Sequence, residues 1–158
     1  ALFSLKGLRK QELAIRLQYF SELRKWADET CSTLSFAMHL CDLDPPKCQS
    51  PAFFDRRHDA LTRLSALIDR GRWFFPNQKQ EGIGEDKPEA YQGYRHKVLS
   101  SLVEVYRLIE RLDRQKPADQ AQRQSMEKAK RKFVSEIQIV LDPLGFEKEF
   151  NGIMGTKR

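Results

Sequence analysis

The side chains best equipped for chemistry are three histidines and three cysteines: His39, His58, His96, Cys31, Cys41 and Cys48. Cys31, His39, Cys41 and Cys48 lie close enough together to raise a zinc site. Their spacing, C-x7-H-x-C-x6-C, matches no zinc pattern. On a helix, residues two apart point about 200° away from each other, so His39 and Cys41 cannot reach one ion. No metal and no cofactor is expected. HEPN-type ribonucleases are four-helix domains whose motif sets an Arg four to six residues before a His, and none of the three histidines has one in that window. Gly82-Ile83-Gly84 lacks the strand that precedes a phosphate loop, no G-x-S-x-G elbow exists, and no Glu-x-x-His pair is available for a di-iron centre. No catalytic residues are assigned, and the chain reads as a non-enzyme.

Two other patterns suit binding. In Gly71-Arg72-Trp73-Phe74-Phe75-Pro76-Asn77, three consecutive aromatics occupy a loop. The string reads first as a plug over one end of a helical bundle, with Arg72 covering an aromatic face or pairing with a carboxylate. Its second reading makes Arg72, Trp73, Phe74 and Phe75 a partner-binding anchor, because exposed Trp and Arg dominate interface energetics. Basic clusters stand at Arg56-Arg57-His58, at Arg95-His96-Lys97 and, most densely, at Arg123, Lys128, Lys130, Arg131 and Lys132. A nucleic-acid surface would need such clusters to converge; otherwise they are solvated helix faces.

The elements that must carry these residues are helices. From about Leu8 to Leu43 the chain has no Gly or Pro, and Leu13, Leu17, Phe20, Leu23, Ala27, Cys31, Leu34, Met38 and Cys41 recur in steps of three and four. Asp44-Pro45-Pro46 ends that helix. Ser50-Pro51 opens a second with Phe54, Leu61, Leu64, Leu67 and Ile68 inward, stopped by Gly71. Arg72 to Pro88 is a loop by composition. A third helix is expected from Pro88 or Tyr91 to Asp113 with Tyr94, Val98, Leu102, Val105, Tyr106, Ile109 and Leu112 inward. The fourth runs from Ala118 to Leu141 with Met126, Ala129, Phe133, Ile137, Val140 and Leu141 inward. Asp142-Pro143 starts a short terminal helix over Leu144 to Phe150, and the closing GTKR is frayed. No period-two pattern competes. The expectation is an all-α four-helix bundle with an over-long N-terminal helix and a short C-terminal one, in a single domain over residues 1–158.

Composition agrees. A chain of 158 residues suits one core, 32% charged residues suit a charge-decorated helical domain, and net charge +6 favours anionic surfaces mildly. Three irregularly spaced cysteines point to a reducing compartment. The opening ALFSLKG is too short for a signal peptide. At a rise of about 1.5 Å per residue, the first helix outruns its partners by roughly 20 Å. Residues 1–20 then form a projecting stalk and 21–158 the bundle. Residues 1–25 carry six basic against two acidic side chains, with Leu2, Phe3 and Leu5 as an apolar tip beside Lys6, Arg9 and Lys10. Such a stalk suits a position next to a membrane, with a transmembrane helix just upstream. It also suits pairing with a second copy in a homo-oligomer, or a kink near Gly7 that folds the first turn back.

Trp26-Ala27-Asp28-Glu29, the run His39 to Pro45, the run Leu64 to Asn77, Gly93-Tyr94-Arg95, Phe133 to Ile137 and Leu141-Asp142-Pro143 resemble a group of uncharacterised bacterial proteins. Arg70 to Asn77 is the most specific part of a resemblance that covers most of the chain. It implies one transmembrane helix before the stretch matching residues 1–20, and a domain on the cytosolic face of the bacterial inner membrane. No activity or site comes with it. The reading is a non-enzymatic interaction or scaffolding domain, cytoplasmic and membrane-tethered, that binds a protein partner or its own copy. The alternative is a nucleic-acid-binding module, or a HEPN-like bundle lacking the catalytic motif.

Overall fold

In a computed structural model the chain is described over residues 2–48 and 52–155, with side chains from residue 5 onward. The helices are α1 (Leu2–Leu40), α2 (Ala52–Gly71), α3 (Lys97–Glu110), α4 (Gln120–Leu141) and α5 (Pro143–Met154). Short 3-10 turns occupy Pro45–Lys47 and Glu89–Tyr91. Among the described residues no strand forms, and one isolated bridge joins Gln78 to Tyr94. The architecture is therefore the expected all-α bundle with a long first helix.

α1 packs on α2, α2 on α3, α3 on α4 and α4 back on α1, while α1 and α3 barely meet across the diagonal. Pairs across each seam fix the directions. Trp26 lies against Gly71 and Phe36 under Arg63, so α1 and α2 are antiparallel. Gly71 also lies against Leu99, while Arg57 reaches the carbonyls of Ile109 and Glu110, which makes α2 and α3 antiparallel. Lys130 donates to Ser35 and Arg123 to the Cys41 carbonyl, so α4 runs opposite α1. The result is an up-down-up-down bundle, the arrangement in which consecutive amphipathic helices each bury one stripe.

Trp26 is the centre of one end. It is fully buried, donates from Nε1 to the Leu67 carbonyl at 2.9 Å, and meets the rings of Phe74, Phe75 and Phe133 at 5.8–5.9 Å. Leu23, Leu34, Leu64, Leu99, Leu102, Val105, Ile109 and Met126 complete the core along the bundle axis.

Several sequence expectations shift. α1 begins before Leu8 and stays helical through Gly7, and residues 5–12 are exposed, so the first turns do not fold back on the bundle. It ends at Leu40, short of the expected Leu43. α3 starts at Lys97, because His96 caps it: its Nδ1 accepts from Val98 N at 3.2 Å. Tyr94, expected inward, pairs with Gln78 and is exposed. Leu17 and Phe54, also expected inward, are exposed. The second-helix start at Ser50-Pro51 lies outside the described residues. α4 opens on a capping box in which Asp119 and Gln122 satisfy each other's backbone N–H groups.

α5 changes the expected stalk. Asp142 has φ 36° and serves as both C-cap of α4 and N-cap of α5, accepting from Gly145 N at 3.2 Å. Past this bend α5 continues the course of α4 along α1. Phe146 meets Phe20, Glu149 pairs with Arg16, and Ile153 shares a cleft with Arg9 and Leu13. α2 ends opposite Trp26, so roughly 36 Å of α1 lies beyond it at a rise of about 1.5 Å per residue. The inner part of that overhang is a helix pair, and the unaccompanied tip is shorter than the stalk expected over positions 1–20.

Candidate functional site

The aromatic string divides by residue. After α2, the amides of Phe74 and Phe75 both donate to the Gly71 carbonyl, at 3.1 and 2.8 Å, curling the chain back over the bundle end. Phe75 is buried against Trp26 and His96, and Phe74 half-buried against Trp26 and Tyr19. These two form the plug. Trp73 points away and is 76% exposed, too much for a core residue and available to a partner.

Arg72 does both things expected of it. Its guanidinium lies 4.4 Å from the centroid of the Tyr91 ring, and its Nε sits 3.8 Å from Asp69 Oδ1. Nη1 donates to Asn77 Oδ1 at 2.7 Å, and the Tyr91 hydroxyl donates to Asp69 Oδ1 at 3.1 Å. The loop that follows is tied down by the paired Gln78–Tyr94 backbone bonds, both 2.8 Å. Gly93 is required there: its φ is +76°, and a Cβ would lie 2.1 Å from the Gln78 carbonyl oxygen.

The dense basic cluster does not present one free face. Arg123 pairs with Asp42 and donates to the Cys41 carbonyl, which fastens α4 to the end of α1. Lys130 donates to Ser35 at 2.9 Å, and Arg131 pairs with Glu127 at 2.6 Å. Lys128 and Lys132 remain exposed. Of the other clusters, Arg57 satisfies the last carbonyls of α3, at 3.0 and 2.6 Å, as a cation at a helix C-terminus should.

Cysteine and histidine chemistry disperses as well. Cys41 is buried and His39 exposed, with His39 Nδ1 3.0 Å from Asp42 Oδ2. Burial pushes the Cys31 and Cys41 thiols up, away from the thiolate a nucleophile or metal ligand needs. Among the described residues no group of three or more His, Cys, Asp or Glu could hold a metal ion.

Lys6, Arg9 and Lys10 are exposed on α1, while the side chains of Leu2 and Phe3 lie outside the described residues. On another face of the same helix the structure shows an apolar stripe of which the sequence reading had only Leu5. Leu5, Leu8, Ile15 and Tyr19 are 56, 59, 65 and 45% exposed. At about 100° per residue they fall within a sector of about 80°, whose middle lies about 120° around the helix from Leu13, which is on the side that α5 covers. Glu12 interrupts the stripe. Its signal was present as spacing, but the inward stripe through Leu13 and Phe20 masked it. Among the described residues, no helix is long and apolar enough to cross a membrane. Comparison with protein-family models, with curated proteins and with solved structures found no match for this chain.

Proposed function

We propose that this chain is a non-enzymatic interaction domain held on the cytosolic face of a membrane, with the N-terminal half of α1 as its contact element. The observation that carries the reading is the overhang itself. It projects beyond the bundle end, keeps Leu5, Leu8, Ile15 and Tyr19 in water, and carries Lys6, Arg9 and Lys10 in the same turns of the helix, Arg9 nearest the stripe. A helix end with exposed apolar side chains and a net basic charge is what an anionic bilayer surface attracts: the apolar groups enter the acyl boundary, and each Lys or Arg near the surface adds about 1 kcal/mol. The bundle would then present its own surface, including Trp73, to a protein partner at raised local concentration.

Sedimentation with vesicles tests this. The chain should pellet with vesicles containing anionic lipid, more weakly at high salt, and not with zwitterionic ones. The double variant Leu5→Glu with Leu8→Glu should lose most of that binding without loss of stability, since both side chains are exposed. Equal recovery of the variant and the natural chain with anionic vesicles would remove α1 as the contact element.

A second reading rests on the same stripe. Leu5, Leu8, Ile15 and Tyr19 occupy alternating heptad seam positions, with Glu12 and Glu22 filling the others, so a second copy could pair along it. Sedimentation velocity showing a monomer at high concentration would sink that version. The nucleic-acid reading is weaker, because Arg123, Lys130 and Arg131 already have partners within the bundle.

A further inference from the structure

The loop joining α2 to α3 lines an open cavity of about 540 Å³ that none of the surfaces above uses. Arg72, Asn77, Lys87, Tyr91, Tyr94 and Arg95 line it. Three of these are cations brought from separate stretches of the loop. The Arg72 side chain is only 10% exposed, and its buried Nε has no hydrogen-bond partner. Asp69, at 3.8 Å, offsets part of that charge while also accepting from the Tyr91 hydroxyl. Among the described residues neither Lys87 nor Arg95 is paired with a carboxylate; the nearby Glu89 is taken by Lys79 at 2.6 Å.

Like charges gathered in a partly buried site repel. Arg95 shows the strain: burial, then the charges of Arg72 and Arg107, hold its guanidinium below its ordinary pKa. A multiply charged anion would relieve that repulsion, and guanidinium forks match phosphate oxygens. The cavity is much larger than one phosphate and falls in the range of small-molecule sites. Tyr94, half-exposed at its rim, supplies a ring face for the remainder of such a ligand.

We propose that this cavity binds a phosphorylated small molecule or headgroup, with its phosphate or diphosphate among Arg72, Lys87 and Arg95 and its body against Tyr94. The site is separate from α1, so it stands or falls independently of the contact element described above.

Calorimetric titration of the chain with pyrophosphate and with ADP, and sedimentation with vesicles carrying a phosphoinositide, test it. Lys87→Gln with Arg95→Gln is the informative variant, because neither residue belongs to the buried core. Leu5→Glu with Leu8→Glu is included in the vesicle arm to remove the α1 contribution. Saturable one-to-one binding with Kd below about 1 mM is expected, weakened at least tenfold in the cavity variant with unchanged Tm. Lys128→Gln with Lys132→Gln should leave it unchanged. Binding of the soluble probes identifies a free phosphorylated ligand, whereas capture by phosphoinositide vesicles alone identifies a lipid headgroup. Absence of saturable binding in every arm would overturn the proposal. So would binding that survives in the cavity variant or falls equally in the Lys128/Lys132 control, or a short RNA binding through Arg95 where the phosphate probes do not.

Discussion

At the scale of single residues, Trp26 does most to define the molecule. Its indole touches three rings from two other segments and donates to the Leu67 carbonyl. Trp26→Ala should cost about 3–5 kcal/mol in denaturant unfolding, the usual range for an emptied aromatic core site. Periodicity puts Trp26 on the long first helix, but its central role depends on Phe74 and Phe75 returning from the loop, which no spacing rule conveys. His96 makes a second residue-scale prediction. Its Nδ1 accepts the Val98 amide, and burial, then the neighbouring Lys97, holds its pKa below the ordinary 6.5. The folded state therefore binds fewer protons than the unfolded state just below that value. Stability should be unaffected above about pH 6.5 and should fall as pH drops from there toward the depressed folded pKa. His96→Asn, which keeps a capping acceptor, should flatten that part of the Tm-against-pH curve. An unchanged slope would remove His96 as the titrating cap.

At the scale of elements, the junction of α4 and α5 decides how the overhang is supported. Asp142-Pro143 marks a helix start in the sequence, but nothing there shows that α5 follows α1 antiparallel. That course follows from the left-handed bend at Asp142, and the Asp142 side-chain cap needs Gly145, where a Cβ would sit 2.1 Å from the capping carboxylate. Gly145→Ala should break the cap, at a cost of about 1 kcal/mol, and release α5. Hydrogen exchange should then speed up in α5 and around residues 13–20 of α1, with the bundle core unchanged. Gly71 is constrained differently, by packing. A Cβ there would meet Leu99 at 2.5 Å and Trp26 at 2.7 Å, so Gly71→Ala should overpack the bundle end by about 1–3 kcal/mol. The sequence marks Gly71 as a helix stop, and its tight contact with two other helices becomes visible only in three dimensions. The late start of α3 has a similar origin: Tyr91 and Tyr94 fit the helical period, yet Tyr91 stacks under Arg72 and Tyr94 bridges to Gln78.

At the scale of the whole molecule, helix number, order and the excess length of α1 were legible, because each rests on local periodicity and on Pro and Gly stops. The candidate surfaces were less so. The α4 cluster reads as continuous basic sequence, but three of its members are spent on Asp42, Ser35 and Glu127. The loop cavity could not be read at all, since Arg72, Lys87 and Arg95 lie far apart in the sequence and only the folded loop brings them together. What distinguishes the molecule is an asymmetric outline: a closed bundle at one end, and a helix with apolar and basic side chains in water at the other. Hydrogen exchange of the chain with and without anionic vesicles reads that asymmetry directly. Protection should rise over residues 2–20 of α1 while α3 and the bundle-facing part of α4 stay unchanged. No change along α1, or equal protection over the whole surface, would contradict the proposal that this helix is where the protein meets its membrane.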